Sequence, residues 1–243
     1  MSTHEHTLKQ FDTELEAVRA RVLQMGGLVE EQIVRALDAL STGNMQLAGR
    51  VVDDDHRVNA LEVAIDEECS TIIARRQPAA GDLRMLMMVV KTITDLERIG
   101  DEAAKIARMA QLIYESDRPS VPRTTEIRHV AELALGMLRN ALDAFARLDL
   151  AVAAKVVRQD EQVDDAFRAI LRQFITFMME DPRTISNAIE ILFIAKAIER
   201  IGDHSKNMSE YVVYMVKGKD VRHTGLEAFE REAFEERENA EKA

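Results

Sequence analysis

The carboxylates of this chain recur in a pattern that could hold a cation. Glu97-Arg98-Ile99-Gly100-Asp101 returns without change as Glu199-Arg200-Ile201-Gly202-Asp203. A Glu and an Asp four residues apart share one helix face, so each block presents two carboxylates together. Like charges at that spacing cost roughly 0.2–0.5 kcal/mol unless a cation lies between them. The central glycine costs up to ~1 kcal/mol relative to alanine in a helix interior. Both penalties are incurred twice. Gly100 and Gly202 make sense if another helix, or an ion with its ligands, must come close to the backbone.

A second pair of related blocks lies one helix earlier. Val51-Val52-Asp53-Asp54-Asp55-His56-Arg57-Val58-Asn59 aligns with Val156-Val157-Arg158-Gln159-Asp160-Glu161-Gln162-Val163-Asp164. Val51, Asp55, Val58, Glu62, Ile65, Cys69 and Ile72 follow an alternating four-three step, a heptad-like seam. Val156, Asp160, Val163, Phe167, Ile170, Phe174 and Phe177 do the same. Asp55 and Glu62 interrupt the first seam, and Asp160 the second. Carboxylates on an apolar seam are costly unless paired, hydrated or bound to a metal.

An antiparallel neighbour would bring Asp55, Asn59 and Glu62 to Glu97 and Asp101, and Asp160 and Asp164 to Glu199 and Asp203. These donors are hard oxygens, with at most His204 nearby, a set suited to Mg²⁺, Ca²⁺, Mn²⁺ or iron rather than a structural zinc site. The identity of the metal stays open among Fe, Mn, Mg, Zn and Ca. A solvated acidic face is the competing reading. Lys105 lies four residues after Asp101 and Lys196 three before Glu199, so ordinary ion pairs could neutralise both faces.

Nothing else in the chain offers chemistry. It has no Gly-rich phosphate loop, no G-x-S-x-G and no Cys/His nucleophile pair, and an enzyme is not expected. Met85, Met87 and Met88 read as core packing.

The elements that must position these residues are helices. Hydrophobic residues make up 47% of the 243, with only 10 Gly and 4 Pro to punctuate them. The apolar stripe Leu8, Phe11, Leu15, Val18, Val22, Met25, Val29, Ala36 and Leu40 steps by threes and fours, with Gln32 on the same face. Ser41-Thr42-Gly43-Asn44 supplies a stop and an N-cap. A second helix is expected from about Gln46 to Arg76, and a third from Asp82, read as its N-cap, to about Ser116. Asp117 to Thr125, with Pro119 and Pro122, reads as a linker. A fourth helix carries Ile127 to Leu148, a fifth runs from about Asp149 to Glu180, and Asp181-Pro182 opens a sixth that ends near Gly218.

The expected fold class is therefore all-α: two tandem three-helix, up-down-up bundles related by internal duplication. Residues 1–117 form the first, 118–222 the second, and 223–243 an acidic tail read as a solvated helix or a partly disordered segment. A core of this size could be one large unit or two smaller ones.

The net charge of −11 argues against nucleic acid and opposes direct binding to anionic lipid. Cys69 is alone, so no internal disulfide forms. Met1–Gln10 lacks an apolar core for a signal peptide. No apolar run approaches the ~20 residues of a membrane span; Ile189–Ile198, for example, contains Glu190 and Lys196. A cytoplasmic protein with no membrane insertion is expected.

The doubled Glu-Arg-Ile-Gly-Asp, each preceded one helix earlier by Asp-x-x-Val-(Asn/Asp), resembles the signature of the PhoU family. The closing Tyr214-Met215-Val216-Lys217-Gly218-Lys219-Asp220-Val221-Arg222-His223 is similar to that family's C-terminal stretch, and the resemblance spans about residues 5–223. It implies a two-fold repeat of a spectrin-like three-helix bundle, usually a homodimer. It implies a negative regulator of phosphate signalling and uptake, peripheral to the membrane. Such a protein couples the ATPase subunit of a phosphate ABC transporter to a phosphate sensor histidine kinase, so that starvation genes stay repressed when phosphate is plentiful.

The family's (Glu/Asp)-x-x-x-Asp motif binds metal, in some members as multinuclear iron. By resemblance it falls on Glu97/Asp101, Asp160/Asp164 and Glu199/Asp203. In the fourth instance, Asp55/Asn59, Asn replaces a charged ligand, implying a weaker first site. Two rivals remain: a carboxylate-bridged metalloenzyme or iron store, whose Glu-x-x-His pair the repeated motifs lack, and a metal-independent scaffold for another phosphate transporter.

Overall fold

The computed structural model of the protein describes residues 3–115, 125–222 and 224–241. Helix α1 (Thr3–Thr42) buries Val18, Val22, Met25, Val29 and Ala36 of the expected stripe, with Ile33 beside them. It stops at Gly43, whose φ of +67° is left-handed, and Asn44 caps the next helix by accepting from the Leu47 amide at 3.0 Å. That next helix is not continuous, as the sequence had led one to expect. It divides into α2 (Met45–Asp54) and α3 (His56–Arg76) at Asp55. There the Val58 amide meets the Asp55 carbonyl at 3.0 Å, while the ordinary helical bond from Asn59 stretches to 3.4 Å. His56 Nδ1 lies 2.5 Å from the Asp53 carbonyl. This local competition for backbone groups is what an acidic run followed by histidine permits.

Helix α4 (Ala80–Glu115) begins two residues before Asp82, which sits in its first turn rather than capping it. Most of the expected linker, residues 116–124, lies outside the described residues, as does the boundary at 117; Thr125 is the first residue of α5 (Thr125–Arg147). Asp149 caps α6 (Leu150–Glu180) by accepting from the Ala151 and Val152 amides. Asp181-Pro182 opens a 3₁₀ turn (Pro182–Thr184), and α7 (Ile185–Lys217) follows it.

Helices α1, α2–α3 and α4 form one bundle, and α5, α6 and α7 a second. The most extensive helix pair is α4 with α7, the third helix of each repeat. Buried alanines along both, Ala103 and Ala107 on one and Ala195 and Ala197 on the other, leave little bulk between the axes. The repeats therefore share a continuous core.

The C-terminal segment is helical (α8, Leu226–Glu241), one of the two expected forms, but it is not merely solvated: its apolar residues fall on one face and dock on α6. Phe229 is 1% exposed and Ala233 2%, and Arg158 pairs with Glu230 at 3.1 Å. Among the described residues, no helix is long and apolar enough to cross a membrane.

Candidate metal centre

Antiparallel packing of α6 on α7 sets the repeated acids of the second half against each other. Glu199 and Asp203 lie one turn apart on α7, and Asp164 faces them from α6. One carboxylate oxygen from each of the three lies within 4.8 Å of the others. Oxygen–metal bonds of about 2.0–2.6 Å put all ligands of one ion within about 5 Å of each other, so this donor set fits a hard cation.

The charges of this group are unevenly satisfied. Lys196 Nζ lies 2.6 Å from Glu199, and Arg168 Nη2 lies 3.0 Å from Asp164 Oδ2. Among the described residues, Asp203 has no hydrogen bond or ion pair. Burial, then the neighbouring charges of Glu199, Asp160 and Asp164, lift its carboxyl to about 6, with Lys196 opposing. The site holds more negative charge than its own cations relieve. A bound metal would supply the balance.

Asp160 does not join the three. It is 7% exposed and is engaged by Lys206 Nζ at 2.6 Å. Lys206, one turn beyond Asp203 on α7, was not singled out from the sequence. Only the packing of α6 against α7 reveals its role.

In the first half the equivalent residues draw near without closing to the same degree. Glu97 is raised by burial, then by Asp101, Glu62 and Asp55. Asp101 is raised by burial and by Asp55, against Arg108. Asp55 Oδ1 accepts from the buried Gln32 amide at 2.7 Å, and Glu62 accepts from Thr94 Oγ1 at 3.4 Å. Asn59 is exposed on α3. Lys105 turns to Glu102 at 3.3 Å rather than to Asp101.

The two glycines have different surroundings. A Cβ on Gly100 would meet Gln32 Oε1 at 3.2 Å and Asp55 Oδ1 at 3.4 Å; on Gly202 it would meet Val163 and Met137 at 3.4–3.6 Å, ordinary contact. Close approach of Gln32 and Asp55 accounts for Gly100, whereas Gly202 has room for a methyl.

The seam between repeats carries polar pairs that the repeated motifs did not announce. His204 Nδ1 lies 2.7 Å from Asp95 Oδ1, both buried, and Asn207 Nδ2 donates to the same oxygen at 3.3 Å. Arg200 reaches across from α7 to Glu102 at 3.1 Å. The positions matching Asp95 and His204 in the opposite repeats are Ala197 and Glu102, and that divergence was the available signal. One Glu-x-x-His does occur, Glu126-Ile127-Arg128-His129. It sits at the start of α5 with His129 exposed, outside the carboxylate group.

Comparison with known proteins agrees with this architecture. The family model described as PhoU domain matches twice, over residues 22–110 and 127–212. The phosphate-specific transport system accessory protein PhoU of Escherichia coli (strain K12) is 44% identical over 225 residues, covering 93% of this chain and 92% of that one. The PhoU homolog of Pseudomonas putida is 48% identical, covering 92% of this chain and 87% of its own. The crystal structure of PhoU from Pseudomonas aeruginosa superposes with a TM-score of 0.82 at 46% identity, over 86% of this chain and all of that chain. The Streptococcus pneumoniae phosphate transport system regulatory protein PhoU gives 0.81 at 30% identity, over 87% and 99% of the two chains. With its two repeats, shared core and doubled acidic motif, the chain belongs to the PhoU family.

Proposed function

We propose that this chain is a regulatory accessory protein of phosphate-specific transport, restraining uptake and starvation-gene transcription when phosphate is plentiful. One observation carries the reading: proteins named as such accessories match both repeats and are covered almost end to end, 92% in the Escherichia coli case. The finer reading is a homodimer in the cytoplasm, peripheral to the membrane. There it contacts the transporter's ATPase subunit and a sensor histidine kinase. Such a protein is not a catalyst. It shifts a partner's conformational equilibrium, which requires unequal affinity for the partner's two states.

The test is genetic and biochemical together. In a bacterium lacking its own copy, a phosphate-starvation reporter is expected to be active in rich phosphate and silenced again by this chain. The chain is also expected to retain the ATPase subunit and the kinase from detergent-solubilised membranes, and to sediment as a dimer. A reporter that stays active after complementation, with neither partner retained, overturns the reading.

Within this proposal Asp164, Glu199 and Asp203 hold a divalent or iron cation, with Asp160 beside them. Asp55, Asn59, Glu62, Glu97 and Asp101 form the weaker counterpart. A cation there supplies positive charge that neutralises the acidic face and offers open coordination positions to a partner's oxygen ligand. Elemental analysis of untagged protein is expected to find metal that Glu199→Ala with Asp203→Ala loses. A metal-independent scaffold is the second reading. The lysine and arginine contacts to Glu199, Asp164 and Asp160 favour it, and equal metal content in both proteins would decide for it.

A further inference from the structure

A second site lies away from the acidic face, in a cleft of about 460 Å³ between the start of α4, the end of α7 and the segment 218–222 that follows it. Its α4 wall carries Arg84, Met87 and Lys91, spaced three and four residues apart on one helical face. Its α7 wall carries Glu210, Tyr211 and Tyr214.

The charges in this cleft are unusually disposed. Among the described residues Arg84 and Lys91 make no hydrogen bond or ion pair; instead each lies over a tyrosine ring, Arg84 over Tyr214 at 5.9 Å and Lys91 over Tyr211 at 5.7 Å. Arg84 Nε is buried without a partner. The third cation, Arg222, is occupied. Its guanidinium grips Asp220 at 2.9 Å, which holds that carboxyl down to about 2, so the pair is neutral as a unit. Arg84 and Lys91 are thus left to face Glu210, the remaining carboxylate of the cleft lining.

Glu210 faces them, is 7% exposed and makes no hydrogen bond among the described residues. Burial pushes it up to about 7, with Lys206 and Arg222 opposing and Asp160 and Asp220 adding to the rise. Near pH 7 it is therefore only partly protonated, and that fraction can donate a hydrogen bond.

The position of Arg84 is also enforced. Gly218 ends α7 with a φ of +70°, and a Cβ there would collide with the Arg84 guanidinium. Only glycine serves both the left-handed turn and the space Arg84 fills.

The geometry points to a binding site for a small phosphorylated organic anion in the cleft between α4, α7 and residues 218–222, with Arg84 and Lys91 as its anchoring cations. A planar guanidinium, a compact ammonium and the unpaired Tyr214 hydroxyl offer more donors than one carboxylate accepts, whereas a phosphate group accepts in three directions. The two cations are seven residues apart, about 10 Å along the helix, so a ligand with two anionic groups can engage both. The tyrosine faces and Met87 would receive an apolar or flat remainder, as a cavity of this size generally does. The walls belong to different repeats, so occupancy bears directly on how α4 and α7 sit together. The site does not depend on the proposed metal centre or on the proposed regulatory role.

The test is calorimetric titration of the full-length protein with ADP, inorganic pyrophosphate and inorganic phosphate, in the presence and absence of EDTA. ADP or pyrophosphate is expected to bind with or without chelator. Arg84→Ala and Lys91→Ala should each weaken binding tenfold or more, Lys91→Arg should retain it, and Glu210→Gln should tighten it at pH 8. Helicity and thermal midpoint check that each variant is folded. Pyrophosphate binding as well as ADP shows that the site reads phosphate alone; ADP binding alone shows that the ring is read too. Absence of binding by all three probes at millimolar concentration overturns the proposal. So does binding that survives in the folded Arg84→Ala, Lys91→Ala double variant.

Discussion

Asp203 allows the charge imbalance of the candidate metal centre to be measured as stability. Its carboxyl moves from an ordinary 3.8 to about 6, chiefly through burial and the neighbouring carboxylates. At about 1.4 kcal/mol per tenfold the ceiling is about 3 kcal/mol. The carboxyl is only half-buried, so solvent screening reduces this to about 1–2 kcal/mol. The sign follows from the raised value. Between pH 3.8 and 6 the folded protein binds this proton more readily than the unfolded chain, so stability falls as pH rises through that window.

Asp203→Asn removes the charged form. In metal-free, chelator-treated protein at pH 8 the variant is expected to be about 1–2 kcal/mol more stable than wild type, and at pH 4 nearly equal to it. Urea denaturation followed by circular dichroism from pH 4 to 8 reads the difference, with matching m values required. A variant less stable at pH 8, or a difference that does not change with pH, refutes the electrostatic account. Adding Mn²⁺ should then stabilise wild type and leave the variant unmoved.

The two glycines should part ways under the same denaturation assay. Gly202→Ala has ordinary space for its methyl and should gain about 0.5–1 kcal/mol from helix propensity. Gly100→Ala must displace the Gln32 amide from its place beside Asp55 and should be neutral or destabilising. At the seam, Asp95→Ala leaves the buried His204 and the half-buried Asn207 without their shared acceptor. A loss of about 2–4 kcal/mol is expected, read as a lower urea midpoint, and an unchanged midpoint would show the pair to be dispensable. Phe229→Ala empties the contact that seats α8 on α6. Limited proteolysis should then cut within Leu226–Glu241 while the two bundles stay resistant.

The helices, their stops and most of their caps were legible because each is written within a few residues. The stripe of α1, the Asn44 and Asp149 caps and the left-handed glycine at 43 act over one or two turns, and the duplication is a matter of letters. The break at Asp55 escaped notice because it turns on a contest among neighbouring backbone groups that residue types only permit. Which acids converge was a question of a different kind. Nine carboxylates and amides had the right spacing, but Asp164, Glu199 and Asp203 close together while Asp160 goes to Lys206 and Asn59 faces solvent. Spacing sets which side chains share a helix face; how two helices are rotated and offset against each other sets which faces meet. The docking of α8, the Asp95–His204 contact and the cleft around Arg84 arise in the same way. Each joins segments far apart in the chain, whose proximity exists only once α4 has packed on α7 and α8 on α6.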